Sequence, residues 1–274
     1  MCIRDSYNGE IYNFKEIRRE LEKRGHRFST NTDTEVLVHG YEEYGHEILD
    51  KLNGMFAFAL WDSVKKELFI VRDRLGIKPL YYYWDGEILL FASEIKALLE
   101  CKTIKPHISR RAMYRFLVLR YIPGDLTIIK GVKKLKPGHI LSIKNNDIDI
   151  KRYWDVSFGK ENKSMESCKK EIYDILKDSV KRRLISDVPL GAFLSGGIDS
   201  SIIVALMSKF SDKVKTFSVG FSEEDYNELD YARIASEHFG TEHHEIIIDS
   251  GKFLEALPKV VWHMDEPIAD PAAI

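Results

Sequence analysis

From residue 164 onward the chain alternates apolar strand segments with helix-length amphipathic ones, and that alternation limits it to a parallel sheet. The order is helix "ESCKKEIYDILKDSVKRRLI", strand "VPLGAFLS", helix "DSSIIVALMSKF", strand "KVKTFSVGF", helix "ELDYARIASEHFG" and strand "HHEIIID". Parallel neighbours need a crossover long enough to hold a helix, and such crossovers are right-handed. Ligands of these sheets bind at the carboxyl ends of the strands.

The earlier residues follow a different pattern. Residues 13–53 read as helical: Phe14, Ile17 and Leu21 share one face, and residues 34–44 repeat the style. The period then shortens to "GMFAFALWD", "ELFIVRD", "LYYYW" and "EILLFAS", separated by turn signals that include Asp85-Gly86. Connections this short predict antiparallel strands with helices over one face, an α+β domain. Residues 101–163 read as a bridge, with a helix stopped by Pro123-Gly124, then a turn, a strand, a polar turn and another strand. "FGKENKSMES" reads as a surface linker. The expected division is therefore 1–100, 101–163 and 164–274.

At 274 residues there is room for two cores. A formal net charge of -2 offers no attraction to nucleic acid or an anionic membrane. Without a long apolar span or a basic leader followed by an apolar stretch, the expectation is a cytoplasmic protein. Cys2, Cys101 and Cys168 are far apart and odd in number, which fits reduced thiols.

"LGAFLSGGIDSS", residues 190–201, is the sharpest local signal. Gly196 and Gly197 follow an apolar strand and precede a helix, so backbone amides and the helix dipole can approach a phosphate. A Walker A reading fails because Gly197 stands where its lysine should be, and the GxGxxG spacing is absent. Ser195 and Ser200 can donate hydroxyls, and Asp199 can hold a hard divalent cation. The alternative is an ordinary strand-to-helix turn with Asp199 as N-cap. Adjacent His243 and His244 point to opposite faces of a strand and cannot simply share a metal. Asp265, Glu266 and Asp270 sit in a proline-broken stretch whose role stays open.

"LSGGIDSS" resembles the pyrophosphate loop of ATP pyrophosphatases, and "KTFSVGF" and "YARIASEHFGTEHHE" follow in the order seen in glutamine-hydrolysing asparagine synthetases. "YNGEIYN", "TDTEVL", "NGMFAFALWD", "RDRLGIKPLYY" and "FASEIKALL" resemble the N-terminal-nucleophile glutaminase domain of the same family. The resemblance implies an oxyanion hole at Asn8 and Gly9, and glutamine held by Asn8, Gly9, Glu10 and Asp33. For Asp33, a helix N-cap before Thr34 is an equal alternative. Arg72 and Arg74 are expected as structural ion-pair partners.

The resemblance also implies an ATP site at Leu194, Ser195, Gly196, Gly197, Asp199, Ser200 and Val219, with Mg2+ on Asp199. Its substrates would be ATP, aspartate and glutamine, and a homodimer is left open. A relative adenylating another carboxylate, such as a β-lactam synthetase, and a non-catalytic ATP or glutamine binder are the competing readings.

One departure stands out. Family members begin Met-Cys-Gly-Ile, with tens of residues between that nucleophilic cysteine and YNGEIYN. Here Cys2 precedes "IRDS" and lies close to Asn8. The expectation is that Cys2 is a coincidental mimic, that residues 1–6 are a foreign start, and that the chain is truncated at both ends.

Overall fold

The computed structural model describes residues 3–159, 162–186, 188–222, 229–267 and 269. The chain divides into two compact units: Met1–Phe158 with Val260–Ala273, and Gly159–Lys259 with the terminal Ile274.

The first unit begins with β1 (Ile3–Ile11), α1 (Phe14–Lys23), α2 (Thr34–Tyr44) and the short α3 (Ile48–Lys51). Next come β2 (Gly54–Asp62), β3 (Glu67–Arg72), β4 (Tyr81–Trp84) and β5 (Leu89–Ala92), where the patterning places them. α4 (Ile95–Leu99), α5 (Arg110–Leu119), β6 (Val132–Lys134), β7 (His139–Lys144) and β8 (Asp147–Arg152) complete it. The strands form two antiparallel sheets, ordered β1-β2-β3-β7-β8 and β5-β4-β6.

Side-chain size along β2 sets the layers. Phe56, Phe58 and Leu60 join Phe69 and Val71 in a core with Leu21, Leu37 and Ile48 from the helices. The alternate residues Ala57 and Ala59, with Ile70 and Leu141, pack on Leu80, Tyr82 and Leu135. Bulky residues on one face and alanines on the other let helices cover the first face while a second sheet closes on the other. Truncating a fully buried phenylalanine such as Phe58 would remove about 3–5 kcal/mol.

Residues 101–163 are not a separate bridge. β7 pairs with β3 and β8 with β7, while β6 pairs with β4, so this stretch supplies three strands of the first unit. The expected boundary at residue 100 fails because it would leave those edges unpaired. The division falls instead after Phe158, inside the stretch read as a linker, and Val260–Ala273 returns to the first unit. The β7–β8 turn has Asn145 and Asn146 at φ 51 and 64, as a two-residue hairpin requires. α5 ends at Leu119 on a left-handed Arg120, before Pro123 is reached.

In the second unit, α6 (Met165–Arg183), β9 (Gly191–Phe193), α7 (Ile198–Met207), β10 (Lys215–Phe221), α8 (Leu229–Phe239) and β11 (Glu242–Ile248) follow the expected alternation. α9 (Ser250–Met264) crosses the division. The sheet order is β11-β10-β9, all parallel. Thr216 and Ser218 of β10 are buried, whereas Phe217 and Val219 are exposed on its other face.

Asp73, 1% exposed, is the main polar anchor of the first unit. Its carboxylate accepts the backbone N–H groups of Phe56, Leu75, Ile77 and Lys78 at 2.9–3.3 Å. Its backbone N–H donates to Phe56 O, and its carbonyl accepts from Gly76 and Gly138. Asp73→Ala leaves these amides without their acceptor, so unfolding in urea should lose about 3 kcal/mol or more. A loss within about 0.5 kcal/mol, the range of an ordinary surface change, would contradict this role.

Candidate active site

β1 carries Asn8, Gly9 and Glu10 past β2, with Gly9 opposite Phe56 and Glu10 opposite Met55. A Cβ on Gly9 would lie 2.3 Å from the Met55 carbonyl oxygen and 2.7 Å from Phe56 Cα. A Cβ on Gly54 would meet the Glu10 carbonyl oxygen at 2.2 Å. Only residues without a side chain allow this approach. Asn8 Nδ2 donates to Ser93 Oγ at 3.0 Å, and Glu10 is exposed.

Asp33 occupies the N-cap position of α2 but makes no side-chain cap bond. Its Oδ2 instead accepts from the Tyr7 hydroxyl at 2.6 Å and from Ile11 N at 2.9 Å. The N-cap alternative therefore gives way to a carboxylate that reaches back to both ends of the YNGEI segment. Burial first, and the bonded Asp33 carboxylate second, raise the Tyr7 pKa well above its ordinary value, so this phenol remains a donor. Asp33 is thus tied to Tyr7 and Ile11 on either side of Asn8 and Gly9, while Asn8 is held by Ser93 and Cys2 lies outside the described residues.

The arginines are structural, though not through ion pairs. Arg72 donates to the carbonyls of Lys78, Leu135 and Gly76 at 2.7–2.9 Å, and Arg74 reaches those of Leu49 and Asp50 at 3.4 Å. Asp265 and Glu266 also belong to the first unit. Asp265 accepts from Ile95 N at 2.6 Å and pairs with Lys96 at 3.2 Å, while Glu266 pairs with Lys134 at 2.6 Å. Asp270 lies outside the described residues.

In the second unit, residues 194–200 leave β9 at its carboxyl end. Leu194 is buried; its N–H donates to Phe217 O at 2.9 Å, and its carbonyl accepts from Ser218 Oγ. Gly196 has φ +77, and a Cβ there would lie 2.3 Å from the Tyr231 carbonyl carbon and 2.5 Å from Ala232 N. Both the left-handed backbone and the proximity of α8 demand glycine. Ser195 and Ser200 hold the turn together, their Oγ atoms 3.1 Å apart, and Gly197 N donates to Ser195 Oγ at 3.3 Å.

Gly197 is the N-cap of α7, which places Asp199 inside the first turn and removes the N-cap alternative for it. Asp199 is exposed and makes no hydrogen bond or ion pair among the described residues. The first intrahelical bond runs from Ser201 N to Gly197 O, so the amides before it lack helical acceptors. Val219 is 46% exposed near the carboxyl end of β10. In β11, His243 contacts Thr216 while His244 stacks on Phe217, on opposite faces as expected.

Sequence reasoning missed two contributors. Ser93, which holds Asn8, lies in the quoted "FASEIKALL" without a sign of its role, and Ser218 is hidden in a strand of ordinary composition. The alternation of buried Thr216 and Ser218 with apolar Phe217 and Val219 was the available signal.

A family model described as a glutamine amidotransferase domain matches residues 5–154, and one described as asparagine synthase matches residues 171–274. Asparagine synthetase [glutamine-hydrolyzing] 1 of Bacillus subtilis (strain 168) is 41% identical over 269 residues, covering 98% of this chain and 42% of that protein. Asparagine synthetase B [glutamine-hydrolyzing] of Escherichia coli (strain K12) is 37% identical over 274 residues, covering 94% of this chain and 44% of the relative. The chain thus spans less than half the length of these relatives. A glutamine phosphoribosylpyrophosphate amidotransferase structure from B. subtilis aligns with TM-score 0.40 at 18% identity, covering 89% of this chain and 45% of that one. Among the described residues no helix is long and apolar enough to cross a membrane. With its matched domain covering more than half of the sequence, the chain belongs to the glutamine amidotransferase domain family, and its residues 171–274 are similar to the asparagine synthase model.

Proposed function

We propose that this chain is part of a glutamine-hydrolysing asparagine synthetase, a carbon–nitrogen ligase that uses ATP to amidate aspartate. The observation that carries the reading is a glutamine amidotransferase domain and a Ser-Gly-Gly strand-to-helix loop on one chain. In the first half, Asn8 Nδ2 and the backbone N–H of Gly9 would donate to the oxyanion that develops on the glutamine amide carbon. Asp33 would hold the ammonium of glutamine through its free oxygen, and Glu10 lies at the same strand end.

In the second half, exposed Val219 would flank the nucleoside, buried Leu194 would support the loop from beneath, and residues 195–200 would surround the phosphates. An oxygen of the aspartate side-chain carboxylate attacks the α-phosphorus, the bond to the β-phosphate oxygen breaks, and pyrophosphate leaves. Ammonia then attacks the acyl carbon of aspartyl-AMP and AMP departs. Mg2+ would neutralise phosphate charge. Asp199, exposed in the first turn of α7 and free of protein partners, is a hard oxygen donor suited to it.

Two measurements test the halves separately. With ammonium present for turnover, pyrophosphate release from ATP-Mg should depend on aspartate and disappear in Asp199→Ala; a folded chain that releases none would contradict the synthetase reading. In the first half, Asp33→Asn should weaken glutamine binding, measured by calorimetry, about tenfold or more, the value of one charge-assisted bond. Unchanged affinity would remove Asp33 from the glutamine site.

A further inference from the structure

A cluster in the first unit lies apart from both proposed sites. His26, in the loop after α1, and His39 and Glu42, on α2, bring three ligand atoms to one point. His26 Nδ1 and His39 Nδ1 are 3.3 Å apart, His39 Nδ1 and Glu42 Oε2 2.8 Å, and His26 Nδ1 and Glu42 Oε2 3.8 Å. A point equidistant from three atoms so spaced is about 2 Å from each, the bond length zinc makes to imidazole nitrogen and carboxylate oxygen. The side chains of His26 and His39 are 16% and 12% exposed, so the point is sheltered on the imidazole side.

Proton placement favours a cation there. If His39 Nδ1–H donates to Glu42, it cannot also accept from His26 Nδ1. If His26 Nδ1–H donates to His39, then His39 turns a lone pair toward the Glu42 carboxylate. One proton cannot pair three converging lone pairs well, whereas one metal ion takes all three. The outer nitrogens are supported in the way metal-bound histidines require. His26 Nε2 lies 3.1 Å from Glu43 Oε2, and His39 Nε2 lies 3.5 Å from Glu35 Oε1. Glu43 is itself held by Arg24 at 2.8 Å, and Glu35 by Ser29 N and Thr30 N at 2.7 Å.

The geometry points to a binding site for a divalent transition-metal ion of the zinc type at His26, His39 and Glu42, with Glu43 and Glu35 orienting the imidazoles. Imidazole nitrogens exclude magnesium and calcium as preferred occupants. His26 and His39 bracket the segment that contains Asp33, so the bound ion would pin that segment to α2. The site stands independently of the asparagine synthetase reading.

The test is a titration of the chelator-stripped full chain with Zn2+ against a chromophoric chelator, repeated with Co2+ to observe its visible bands. One equivalent of Zn2+ should bind, with the intense bands of four-coordinate Co2+. His26→Gln/His39→Gln should weaken binding more than about a hundredfold, and Glu43→Gln about tenfold, as loss of an outer-shell partner does. Affinity unchanged in the folded double variant would overturn the site, as would the absence of any binding to the unaltered chain. Should the double variant fail to fold, X-ray absorption of the zinc-loaded unaltered chain decides. Two imidazoles with oxygen ligands support the site; sulfur ligation, or fewer imidazoles, refutes it.

Discussion

The first unit depends on one buried carboxylate. Asp73 holds the N–H groups of the 75–78 turn and of Phe56, while its own backbone links Phe56 to Gly138 at the start of β7. Phe56 is the residue opposite Gly9, so the anchor sets the height at which β1 passes over β2. The close glycine contacts at Gly9 and Gly54 lie along this same β1–β2 pairing, where Asn8 and Gly9 are neighbours. An aspartate at this place stabilises because its buried carboxylate accepts four backbone N–H groups, of which that of Phe56 is itself buried.

The second unit solves a related problem with hydroxyls and glycine. Ser218 reaches across to the Leu194 carbonyl, which fixes where β9 ends, and Gly196 turns left-handed against α8. The loop is thereby held between β10 and α8. The exposed row formed by Phe193, Phe217, Val219 and Ile246 lies on the sheet face opposite buried Thr216 and Ser218.

Much of this was legible from residue types. Four strands between residues 54 and 93 and the whole alternation of the second unit are visible in periodicity, because each buries one regular face. β1 was not, since its Asn-Gly-Glu centre has poor strand propensity and is held by the backbone of β2. The domain boundary was misplaced because β7 and β8 look like any hairpin, and only pairing with β3 shows that they finish an earlier sheet. Asp33 and Asp199 each looked like possible helix caps. The direction of its side chain separated Asp33 from that role, and the start of α7 after Gly197 separated Asp199 from it.

Residues 194–200 are proposed as a cradle for the phosphates of ATP. The most direct measurement is equilibrium binding of a fluorescent ATP analogue with Mg2+ to the full chain, with inorganic pyrophosphate as competitor and Gly196→Ala as control. The account expects saturable binding, displacement by pyrophosphate, and loss of affinity in the variant. Binding that pyrophosphate does not displace, or that survives Gly196→Ala unchanged, would contradict it.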